Sequence, residues 1–177
     1  MKLVNIEGFS FDFPDAINAF KFDETDRTKA TYHGATMLKS VDIIVELSSY
    51  YLYIEIKNYD DPADDDIKTF IDQTDFEERQ RLFRWLKNYL KYKYRDSFLY
   101  RFAEEKIDKP IHYLCLLNFE NALNNVMQKA LSHELPLGKP SKRWKKTIVE
   151  SCHVLNAKKW NEVFPYWPVA KYTESIP

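Results

Sequence analysis

The stretch VDIIVELSSYYLYIEIKNY, residues 41 to 59, leaves little freedom in how it folds. Most of it is Val, Ile, Leu and Tyr, a composition that suits strands. Ser48-Ser49 interrupts it where a tight turn would fall. The second half alternates with period two. Leu52, Ile54 and Ile56 face one way; Tyr51, Tyr53, Glu55 and Lys57 face the other. A hairpin turning at the two serines brings Asp42 opposite Glu55. Lys57 follows Glu55 on the same face, about 7 Å further along the strand. Two carboxylates that meet on a sheet repel each other and are costly to bury without a cation. A divalent ion would relieve that cost, and carboxylate oxygens are the ligands Mg²⁺ selects.

The chain around this hairpin reads as one α/β domain. Its 177 residues suit a single core, and 45% apolar with 16% aromatic content excludes a disordered chain. Residues 2–13 alternate loosely, as an early strand would. PDAINAFKF (14–22) suits a short helix with Pro14 in its first turn, and the polar segment 23–40 suits a loop with a short strand. From Glu77, Leu82, Phe83, Leu86, Tyr89 and Leu90 trace one apolar helical face, which either runs past 95 or breaks near Asp96-Ser97. KPIHYLCLLNF (109–119) is apolar almost throughout, the pattern of a strand buried on both faces inside a mixed sheet. A helix over 120–135, a strand in TIVESCHVL and a short helix N-capped by Asn156 complete the order. The expected architecture is a mixed β-sheet flanked by helices.

Several functions are excluded by what the sequence lacks. Three glycines leave no phosphate-binding glycine loop. Net charge of −1 gives no global basic field, so a nucleic-acid partner would need local patches. His112 and Cys115 point to opposite faces of a strand, as do Cys152 and His153, which argues against zinc and against a Cys–His nucleophile. No stretch approaches the ~20 apolar residues of a membrane span, and the N-terminus lacks a signal-peptide core, so a cytoplasmic location is expected.

An Asp, twelve intervening residues and then E-x-K, split over a hairpin and followed by a long helix and a buried strand, resembles the PD-(D/E)XK nuclease superfamily. The resemblance covers residues 14–119, with 120–177 as additions to a restriction-endonuclease-like core. It implies a nuclease acting on DNA. Asp42 and Glu55 would be ligands of Mg²⁺ or Mn²⁺, the Ile56 carbonyl a further ligand, and Lys57 the group that orients or activates the attacking water. Val41 stands where the family name has Pro. A further acid often comes from the family's first helix, for which Asp15, Asp23 and Glu24 all qualify; a helix glutamine is common too, with Gln73 and Gln80 as candidates. The alternative is an inactive member of the fold that binds nucleic acid or protein, a second copy of the chain included. A second E-x-K, Glu104-Glu105-Lys106, reads as a solvated helix end. The Asp run over 60–66 would repel phosphate and reads as a solvated loop, a cation site or a gate.

KPSKRWKK (139–146) holds five cations in eight residues around Trp144. It suits either a loop that grips a phosphate backbone with a stacking aromatic, or a solvated loop with its Trp packed inward. If it grips, neutralising Lys142, Arg143, Lys145 and Lys146 flattens the salt dependence of nucleic-acid binding by about one per lost phosphate contact. Affinity titrations over a salt series check this; an unchanged slope assigns the loop to solvent.

Overall fold

A computed structural model of the chain describes residues 2–58 and 75–172. Its centre is a five-stranded mixed sheet of β3 (Asn18–Lys21), β4 (Ile43–Glu46), β5 (Tyr51–Lys57), β6 (Ile111–Leu117) and β7 (Ser151–Leu155), in that spatial order. β3, β4 and β5 form an antiparallel meander; β6 and β7 continue the sheet in parallel. Ile43 pairs with Ile54, so the register puts Asp42 beside Glu55 as the serine turn requires. The acidic stretch 60–66 and Gln73 lie outside the described residues.

Helix α1 (Phe76–Ala103) makes the crossover from β5 to β6. Asp75 caps it by accepting from the N–H groups of Glu77 and Glu78. Asp96 and Ser97 do not break it; it continues to Ala103, and Glu104 and Glu105 lie exposed beyond its end. Helix α2 (Asn121–Glu134) follows β6, and α3 (Ala157–Val163) follows β7, capped by the Asn156 side chain on the Lys159 N–H. Leu86, Leu90 and Tyr94 of α1 and Met127 and Leu131 of α2 cover one sheet face, together with Tyr51, Tyr53, Tyr113 and Cys115. The opposite face carries Ile43, Val45, Leu52, Ile54, Leu114 and Leu116. A second sheet covers that face: β1 (Leu3–Ile6), β2 (Phe9–Asp12) and β8 (Val169–Lys171), with Phe9, Phe11 and Val169 turned inward beside Trp160 of α3. β5 and β6 are therefore buried on both faces. Among the described residues no helix is long and apolar enough to cross a membrane.

Three expectations need correction. The segment 23–40 holds turns and bends but no strand. Residues 14–22 do not form a helix. Ile17 N–H donates to the Glu46 carbonyl and Asn18–Lys21 pairs along β4, so the segment is an edge strand. Nine residues make a poor helix unaided, and Phe20 and Phe22 gain the helix-covered core by alternating. The early chain also holds two strands where one was expected. Glu7 and Gly8 have φ of 52° and 72°, a tight hairpin turn that pairs Ile6 with Phe9. Gly8 is needed there, because a Cβ would sit 2.9 Å from the Asn58 amide nitrogen.

Helices α1 and α2 are tied by Glu134, which accepts from Lys87 at 2.6 Å and Lys91 at 2.9 Å. Those hydrogen bonds hold its carboxyl down at about 2. A depressed folded-state value means that the contribution is present above the ordinary glutamate range and lost as pH falls toward 2. Glu134→Gln is expected to cost under about 1 kcal/mol at neutral pH, since the pair is half-exposed. Denaturant titrations of the two proteins should converge as pH approaches that folded-state value.

Candidate functional site

Asp42 precedes β4, and its placement is fixed from three sides. Its carbonyl accepts from the Phe22 N–H at 2.8 Å, which extends the β3–β4 ladder. Its Oδ2 accepts from the Ile56 N–H at 2.6 Å. One turn of α1 holds the chain leading into it: Asp96 Oδ2 accepts from Lys39 N–H and Ser97 Oγ accepts from Val41 N–H. The side chain is then only 9% exposed. Glu55, opposite, is fully buried, and among the described residues no donor is in hydrogen-bond geometry with either carboxylate oxygen, although the Lys93 ammonium stands 3.4 Å from one of them.

What lies between these acids is a residue the sequence reading missed. The Lys93 ammonium from α1 sits 3.4 Å from Glu55, 3.6 Å from Asp42 and 3.2 Å from Asp23. Lys93 occupies the same helical stripe as Leu86, Leu90 and Ser97, all buried. A lysine inside an apolar stripe was the available signal, since such a group needs a buried acid to meet. Of the three acids considered as a further member, Asp23 is the one that arrives. Asp15 accepts instead from the Trp167 indole, and Glu24 pairs with Lys29. Gln80 is exposed near the start of α1, about 20 Å along the helix from Lys93.

Burial drives the Glu55 carboxyl well above the usual range, and the neighbouring Asp42 adds to the shift; Lys93 and Lys57 offset part of it. Asp42 is raised by burial against the pull of Lys93 and the Ile56 N–H. Burial would lower Lys93, but Glu55 and then Asp42 outweigh it and keep the ammonium charged. These directions are compatible. Three carboxylates face one ammonium, so the lysine stays ionised and the most buried acid is pushed toward neutrality.

Lys57 shares the face of Glu55, close enough for its charge to act on both acids. Its ammonium lies 5.3 Å from the centre of the Tyr89 ring, Lys93 lies 5.4 Å away and Lys39 4.7 Å. Three cations are thus gathered on one aromatic ring beside the acid pair. The basic loop is elsewhere. Lys142, Arg143, Lys145 and Lys146 are exposed and Trp144 is half-buried. Glu150, just after them, bonds to Ile111 at the start of β6, whereas Lys57 pairs with Leu117 at its end. Six residues of strand, about 20 Å, separate the two ends.

Among the described residues no three Asp, Glu, His or Cys side chains are arranged to hold an ion by themselves. A magnesium-type ion binds through one or two carboxylates and keeps several waters, so Asp42 and Glu55 are of the right chemistry to hold one if the Lys93 ammonium between them moves aside. Glu55 brings two oxygens that lack hydrogen bonds, with Asp42 alongside. The chain matches no family model, no curated protein and no solved structure.

Glu55 is ion-paired with Lys93 but accepts no well-aligned hydrogen bond among the described residues, and a buried carboxyl left so costs roughly 1–3 kcal/mol or more. Glu55→Gln is therefore expected to raise stability in metal-free buffer, whereas Lys93→Met strands Asp42 and Glu55 and should cost roughly 3–5 kcal/mol. Chemical denaturation of the two variants and of the double variant checks this. A destabilised Glu55→Gln would mean that Lys93 already satisfies the acid.

Proposed function

We propose that the protein is a metal-dependent phosphodiesterase acting on DNA, with a restriction-endonuclease-like core. The observation that carries this reading is the buried Asp42–Glu55 pair, its Glu55 oxygens without hydrogen bonds among the described residues, beside lysines collected on Tyr89. The order of parts supports it: a hairpin carrying the acids, a long helical crossover, then a buried parallel strand.

Asp42 and Glu55 would hold Mg²⁺ or Mn²⁺, with the Ile56 carbonyl as a further ligand. Such an ion supplies Lewis-acid polarisation of the phosphate and a water of lowered pKa. Lys57, on the Glu55 face, orients the attacking water. The Lys39 and Lys57 ammonium groups meet the phosphate oxygens, and Lys93 holds the two carboxylates at the separation their burial requires. The basic loop, about 20 Å off, would contact the same duplex roughly six base pairs away.

One observation favours a second reading, a binding module without catalysis. The Lys93 ammonium already occupies the space between the acids and neutralises part of their charge.

Single-stranded, duplex and branched DNA incubated with the purified protein and Mn²⁺ separate the two. The expected result is cleavage that Asp42→Asn abolishes and Lys57→Ala lowers by roughly 100-fold or more. Lys57→Ala and Lys57→Met should both retain Mn²⁺-dependent thermal stabilisation, and Asp42→Asn should lose it. Mn²⁺ binding without cleavage of any of these substrates selects the second reading.

A further inference from the structure

On the sheet face away from α1, at the starts of β5, β6 and β7, lies a hollow of about 320 Å³. Leu52 and Leu114 form its floor. Its wall is a run of rings, each touching the next. His112 meets Tyr50 at 5.0 Å, Tyr50 meets Trp167 at 6.3 Å, Trp167 meets Phe164 at 5.4 Å, and Phe164 meets His153 at 6.2 Å. His112 pairs with Ser151 across the β6–β7 ladder and Leu114 with His153, so the two imidazoles are diagonal neighbours and complete the circuit.

The collar is held rigidly. The Trp167 indole donates to Asp15 at 2.8 Å, and its carbonyl accepts from the Trp160 indole at 2.7 Å. His112 Nδ1 is engaged with the Ser151 hydroxyl at 2.8 Å. Among the described residues, the other His112 nitrogen, both His153 nitrogens and the Tyr50 hydroxyl have no hydrogen-bond partner. Apolar ring walls with a few convergent, unengaged polar atoms are the make-up of a small-ligand site. Partial burial lowers both histidines, so each imidazole is neutral at pH 7 and can offer one donor or one acceptor.

The lining also defines the ligand. Among the described residues no lysine or arginine lines the hollow, so no cation there would bind a phosphate. No carboxylate among the described residues lines it either, so no ion pair there would hold an ammonium group. Flat aromatic walls stack a flat ligand, and neutral donor–acceptor nitrogens read the edge of a heterocycle. We propose that this hollow is a binding site for a neutral, planar nitrogen heterocycle of nucleobase size. The site is independent of the Asp42–Glu55 centre, which lies buried on the other face of the sheet.

Ring NMR signals of His112 and His153, recorded on the full chain titrated with adenine, adenosine, AMP and choline, test the proposal. Expected are saturable shifts with adenine and adenosine, and no gain in affinity for AMP. His153→Leu keeps an apolar wall and Tyr50→Phe keeps the ring. Each should weaken adenine binding by about tenfold, the contribution of one hydrogen bond. Unchanged thermal unfolding of Tyr50→Phe guards against a folding artefact. Absence of saturable shifts with adenine and adenosine, tighter binding of choline, or undiminished binding by both variants overturns it.

Discussion

An ammonium group buried in the apolar stripe of α1 is what lets two acids stand under that helix. Lys93 reaches Asp23, Asp42 and Glu55 at once. Without it, the start of β4 and the end of β5 would bring unscreened carboxylates into the helix-covered core. Asp96 and Ser97, within the next turn, bind the backbone ahead of Asp42. One short length of α1 therefore neutralises the acids and fixes the segment that presents them. The seating of the helix on the sheet and the geometry of the candidate site are the same set of contacts.

The sheet was legible where burial imposes a pattern. β6 is apolar almost throughout and has the two covered faces that pattern implies, whereas β5 alternates as a strand with one buried face would, yet is covered on both. The Asp42–Glu55 pairing followed from the turn alone. The edge strand β3 was illegible because it is four residues long and only Phe20 and Phe22 mark its alternation, too few to tell a strand from a short helix. β8, three residues long, is defined by its contact with β2 and has no periodicity to read. In the candidate site, residues near one another in sequence could be found. Lys93 and Asp23 could not be joined, since only the docking of α1 brings them together.

The alternation of β5 gives the sheet two chemistries. Tyr53 and Glu55 look toward α1, the acids and the lysines; Leu52 looks toward the ringed hollow. Charge is gathered on one side, near the ends of the parallel strands. Neutral aromatic surface is gathered on the other, near their starts. The same seven residues separate the two environments, so neither needs loops to keep it apart from the other.

The second sheet carries a consequence for how the chain acquires its structure. β3, β4 and β5 are neighbours in sequence and can pair as soon as they exist. β2, however, must wait for β8, so Phe9 finds Lys171 only when almost all of the described chain is available. Contacts between such distant residues form late and slow folding. Until then the Ile43, Val45, Leu52 and Ile54 face has only part of its cover, and a partly folded chain with such a face exposed associates with others. Refolding yield should therefore depend on concentration, and a segment of three residues decides when the apolar face under the second sheet leaves water.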